Sequence, residues 1–164
     1  MAVPVTDESF RWDPGNSQPF RGVAALYRQA WALIEEAKCS LGAAQYTSAI
    51  ICCHLSVVRA FQAVYCTRHP GPPPQIQDLI LLLNLSEIRL PPELRNTVGE
   101  INRAFDHSLY RYQHAITWLL VREENSIVRM IDHTEQAIRW VEENYIGSDG
   151  SYLEEVETCP DDYR

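Results

Sequence analysis

Apolar residues recur every three or four positions through most of the chain, and no segment alternates polar and apolar residues between hairpin turns. That period places the apolar side chains on one face of a helix. The first predicted helix covers residues 23–41, with Val23, Tyr27, Ala30, Ile34, Ala37 and Leu41 inward and Gly42 as its break. The second covers 46–67 on a stripe of Tyr46, Ile50, Cys53, Val57, Phe61 and Val64. Its other faces carry Ala49, Ile51, Leu55 and Val58, so it is expected to be the central, most buried helix. His69 and the prolines from Pro70 to Pro74 stop it, because proline cannot continue the hydrogen-bond ladder.

A short helix is predicted over 75–85. Pro91 and Pro92 open a fourth, proline being favoured in a first turn. Its register runs Leu94, Val98, Ile101, Phe105, Leu109, Tyr112, Ile116 and Leu119. Residues 122–125 read as a polar joint. A fifth helix covers 126–145, with Asn125 or Ser126 as N-cap, Ile127, Ile131, Thr134, Ile138, Val141 and Tyr145 inward, and Gly147 as its stop. The expected fold is all-α: an antiparallel bundle of four main helices plus one short connecting helix.

Composition narrows the class. The chain has 164 residues, 46% hydrophobic and 22% charged, which suits one domain with a real core. Residues 1–22 lack periodicity and read as a flexible N-terminal arm; 23–146 form the bundle; 147–164 read as a disordered acidic tail. The start lacks a basic segment followed by an apolar run, so no signal peptide is expected, no membrane span is evident, and a cytoplasmic location is expected. The five cysteines, Cys39, Cys52, Cys53, Cys66 and Cys159, show no CxxC spacing. They are expected to be free thiols, with no metal site and no cofactor.

Chemistry gathers on helix four. Arg103, His107, Tyr110 and His114 fall within about 60° of one another at 100° per residue, nearly opposite the apolar stripe. One reading is a solvated helix face. The other is a site: arginine grips a phosphate in a fork, histidine moves protons near neutral pH, and tyrosine stacks on a base. Arg129 and His133 repeat the same spacing without a supporting aromatic. Asp106, His107 and Ser108 spell a triad in letters only, since consecutive helical residues diverge by about 100°. Arg59, inside the central helix, calls for a buried ion pair or an interface.

Several short patches, in this order, resemble the HEPN family (higher eukaryotes and prokaryotes nucleotide-binding). They are Gly42, Tyr46 and Ala49 with Leu55 to Ala63, then Leu79 with Leu82 and Leu83, then Leu90 to Leu94, Arg111-Tyr112-Gln113, and Ala137 to Val141. The resemblance implies an antiparallel bundle, a homodimer, and a nucleotidyltransferase-fold protein as partner. Many members are metal-independent RNases or toxins carrying Arg, four to six residues, then His. Here three residues separate Arg103 from His107, and two separate Arg111 from His114. A family acid appears as Val58, and a family proline as Gln113.

The expected function is therefore a dimeric helical module that binds a partner protein or a nucleotide or RNA, without the RNase activity. Arg103 and His107 are the candidate catalytic pair, and Tyr110, Arg111 and His114 the candidate binding residues. The alternatives are a metal-independent RNase with a shifted Arg/His pair and a helical adaptor without a ligand. The net charge of -8 bears on this less than it first suggests. Residues 23–146 hold 13 acids against 11 bases, and 147–164 hold six acids against one. An arginine-bearing face on the bundle can still meet RNA.

Overall fold

The computed structural model describes residues 22–109 and 124–147, and the expected arm, tail and second half of helix four lie outside them. Among the described residues there are five α-helices and no strand: α1 (Val23–Gly42), α2 (Tyr46–Arg68), α3 (Leu79–Leu85), α4 (Pro92–Leu109) and α5 (Glu124–Val141). A π-helical turn, Glu142–Ile146, continues α5. The predicted class and the order of the helices agree with this.

The apolar stripes bury as their spacing requires. In α2, fourteen of 23 residues are buried, and only one described helix, α1, makes as extensive a contact with it. α2 is apolar and long enough to cross a membrane by composition, yet 78% of its most apolar window is covered by the other helices. That is the pattern of a core helix. α1 and α2 run antiparallel. The Ser56 hydroxyl donates to the Ala30 carbonyl at 2.6 Å and so ties their middles together without leaving a buried polar atom unpaired.

Three predicted boundaries move. Gly42 is the last residue of α1 rather than the break. The chain reverses at Ala44, whose φ of 56° is left-handed. There the Gln45 N–H donates to the Ser40 carbonyl, which helps hold a conformation that alanine adopts at some cost. α3 begins at Leu79, not at 75, because the Asp78 carboxylate accepts from the N–H groups of Ile80 and Leu81, both at 2.9 Å, and caps the helix there. α5 is already helical at Glu124, so neither Asn125 nor Ser126 is its N-cap. Glu124 places an acid in the first turn, where the helix dipole favours negative charge. Gly147 does stop the chain, at φ 82°, with its N–H on the Glu142 carbonyl.

Polar latches join the ends. Arg59 makes no ion pair among the described residues. Its guanidinium donates to the Gln62 amide oxygen at 2.9 Å, and the Gln62 amide donates to the Pro74 carbonyl at 2.9 Å. Arg59 thus helps to pin the proline-rich link. At the other end, the Tyr145 hydroxyl accepts from the Arg89 N–H at 2.8 Å, while Arg68 lies 5.1 Å over the Tyr145 ring. The π-helical turn therefore seats Tyr145 against the link between α3 and α4.

The described cysteines are free. Burial pushes the Cys53 thiol up to about 12 and Cys66 to about 11, which keeps both protonated and inert. Cys159 lies outside the described residues.

Candidate functional site

α4 separates core from surface along its length. Val98, Ile101 and Phe105 turn inward and are buried, as the register predicts. Glu100, Arg103 and His107 lie on the other side, all exposed, within about 60° of one another. Arg103 and His107 therefore share one open face, as expected. Tyr110, Arg111 and His114, the other predicted site residues, lie outside the described residues, so the structure brings together only the first two.

The described half of α4 also dismisses the triad in letters. Asp106 and His107 are exposed, while Ser108 is buried and donates to the Phe105 carbonyl at 2.7 Å.

The tertiary fold adds two groups that spacing alone did not connect to α4. α5 crosses beside it and leaves a groove of about 320 Å³. Thr97, Glu100 and Ile101 line one wall, and Arg129, Met130 and His133 the other. The i,i+4 pair Arg129 and His133 thus faces Thr97, Glu100 and Ile101 of α4 across this groove, and among the described residues still has no aromatic beside it there. Among the described residues neither Arg129 nor Glu100 makes an ion pair. Lys38 differs: it bridges Glu35 at 3.0 Å and also Glu135, linking α1 to α5.

Beneath this face lies a residue that the sequence reading missed. His54 of α2 is fully buried, stacked flat on Phe105 with ring centroids 3.6 Å apart and planes 5° from parallel. Neither ring nitrogen has a hydrogen-bond partner among the described residues. Burial pulls its pKa down to about 4, against the opposing pull of the Gln77 backbone, Asp106, Asn102 and Asp78. The ring is therefore neutral at physiological pH. Asn102, beside it, accepts from the Leu79 N–H at 3.0 Å and joins α4 to the start of α3. The available signal was register: His54 falls four residues after Ile50 and three before Val57, on the buried stripe.

Among the described residues no group of three or more His, Cys, Asp or Glu side chains is arranged to hold a metal ion. The groove offers one arginine, one histidine and one carboxylate on a partly apolar floor, and the open side of α4 presents Arg103 and His107 outside it. Such groups suit recognition of a phosphate ester by charge and hydrogen bonds.

A family model, described as the HEPN domain, matches residues 23–145. Curated proteins and solved structures gave no match.

Proposed function

The chain belongs to the HEPN domain family, and on that premise we propose that it is a helical module that binds a nucleotide or RNA through the α4/α5 face, without RNase turnover. The observation that carries the reading is the exposure of Arg103 and His107 together on one face of α4, alongside a groove between α4 and α5 that Arg129 and His133 line. Arginine forks match phosphate geometry, and exposed arginines can hold a phosphate even on an acidic chain.

Binding without cleavage is favoured by the placement of His107. A histidine that moves protons in catalysis is oriented by a third group. His107 is exposed and has no hydrogen-bond partner among the described residues. Its three-residue separation from Arg103 also departs from the spacing that the RNase members carry.

The test is paired. RNA binding is measured by fluorescence anisotropy, and cleavage is followed on the same labelled RNA, for the parent, Arg103→Ala and His107→Ala. The expected result is binding weakened about tenfold by Arg103→Ala, with no cleavage by any of the three. Cleavage by the parent that His107→Ala abolishes would replace the reading with the RNase one. A homodimer and a nucleotidyltransferase-fold partner belong to the same proposal. Light scattering after size exclusion checks the first, and co-purification at native expression checks the second.

A further inference from the structure

His54 sits where α2, α4 and the link into α3 meet. Its ring is fully buried against Phe105, and neither nitrogen has a hydrogen-bond partner among the described residues. The Gln77 backbone, the Asn102 side chain and two carboxylates, Asp106 of α4 and Asp78 of the link, lie around it. The other neighbours of α2 approach elsewhere. α1 meets Ser56, which points about 160° away from His54 around the helix. α5 meets Cys53 through the uncharged Thr134. The π-helical turn meets the far end of α2, where Arg68 lies over Tyr145.

The chain beside this ring is loosely tied. In residues 70–78 four prolines lack an N–H, and among the described residues no backbone amide there bonds another backbone carbonyl. The Gln62 amide holds the Pro74 carbonyl at 2.9 Å, and the Cys66 sulfur makes a long contact of 4.0 Å with the Gly71 carbonyl. α3 has seven residues, too few for a stable helix by itself. Leu79, Leu82 and Leu83 hold it down, while Leu81 and Leu85 face outward, 49% and 42% exposed.

A neutral ring fits this pocket and a charged one does not. An imidazolium has two N–H donors and no acceptor. Two of the groups around it are already in use. The Asp78 carboxylate accepts from Ile80 and Leu81, and the Asn102 oxygen accepts from Leu79. A proton taken from water onto His54 therefore competes for the acceptors that hold the first turn of α3. Lifting the link ends that competition and lets water solvate the charge.

We propose that residues 70–78 and the first turn of α3 form an acid-released strap, and that protonation of His54 opens this edge of the bundle while α1, α2, α4 and α5 stay packed. The device does not depend on what the α4/α5 face binds.

The test is amide hydrogen exchange of the full chain at pH 7.5 and pH 5, corrected for the intrinsic pH dependence of exchange. Burial holds the folded ring down to about 4, whereas an opened ring regains its ordinary 6.5. The opening equilibrium read at residues 79–83 should therefore rise about thirtyfold between the two pH values. Those amides should be less protected than the middle of α1 at both, which marks the opening as local. Residues 39–42, at the end of α1, fray without exposing His54 and should change by less than about twofold. His54→Phe should reduce the response of 79–83 to less than about twofold as well. Gln62→Leu unties Pro74 and leaves His54 in place; it should raise opening about fivefold at pH 7.5 and keep the thirtyfold response.

Exchange at 79–83 that does not respond to acid overturns the proposal. So does protection there equal to that of α1, because the opening is then global. A response that persists in His54→Phe assigns the proton to another group and overturns it too. Exchange unchanged by Gln62→Leu overturns the link as the element that lifts. Carbon NMR of the ring follows His54 in the parent chain, and a folded midpoint near 6.5 overturns the proposal without any variant.

Discussion

His54 and His107 flank α4 in opposite environments. His54 lies against Phe105 on the inner side, with no exposed surface and no hydrogen bond to either nitrogen among the described residues. His107, two residues from Phe105 in sequence, lies on the outer side in water. The same side chain thus serves as a flat packing ring on one face and lies exposed on the other. The contrast teaches how α4 divides its work. Val98, Ile101 and Phe105 hold the helix to the bundle, while Glu100, Arg103 and His107 are left exposed. Because the inner residues fix the rotation of the helix, they also fix where the outer ones point.

The sharpest way to break this division is to remove the inner ring. Phe105→Ala should destabilise the protein by about 3 to 5 kcal/mol, since the loss of a buried aromatic leaves a cavity under the outer face. Urea unfolding followed by circular dichroism measures it. A loss below about 1 kcal/mol would mean that Phe105 does not anchor α4.

Acid should weaken the fold through His54. The folded pKa of His54, about 4, lies below the ordinary value of 6.5 that it regains on unfolding. Above 6.5 both states are neutral, so the group contributes no pH dependence. As pH falls from 6.5 to 4 the unfolded chain takes up a proton that the folded chain does not, and stability declines. The decline from this group is on the order of 3 kcal/mol and ends below the folded pKa. His54→Phe keeps a ring against Phe105 and removes the two unpaired nitrogens. It should flatten that segment of the stability profile and raise stability at pH 7 by about 1 to 3 kcal/mol. An unchanged pH profile in His54→Phe would show that another group titrates there.

A smaller effect sharpens the inner side further. Asp78→Ala removes the cap of α3, whose first residue, Leu79, donates its N–H to Asn102 on α4. A loss of about 1 kcal/mol is expected in the same unfolding assay. The smallest stability effect belongs to the outer side. Arg103→Ala and His107→Ala should change stability by no more than about 0.5 kcal/mol while still altering RNA affinity. A larger destabilisation would place either residue in the packing rather than in the site.

How far the sequence could be read follows from the range of the forces involved. Ile34, Phe61, Val98, Ile101, Ile127 and Ile138 are all buried as their spacing predicts, because burial of a helix face depends mainly on residues three and four apart. The boundary at α3 was missed because a cap competes with the apolar pattern, and the Asp78 carboxylate outweighed the helical look of residues 75–78. Arg103 and His107 were legible as a pair because one helix carries both. Arg129 and His133 were visible as a spacing but not as one wall of a groove, since nothing local says which helix lies beside α5. His54 was hidden for a related reason: a polar letter on an apolar stripe shows its burial only when Phe105 and Asn102 arrive from a helix some fifty residues away.

Hydrophobic periodicity alone determined that the chain is all-α, where most of its helices run, which faces they bury, and that α2 lies at the centre. These features depend on backbone bonds and side-chain contacts within a few residues. Only the tertiary structure decided that α5 crosses α4 to form a groove, that Arg129 and Glu100 face each other there unpaired, and that a histidine is sealed beneath. Those outcomes depend on packing between distant segments, where shape and the burial of whole faces select one arrangement among many that the same local pattern would allow.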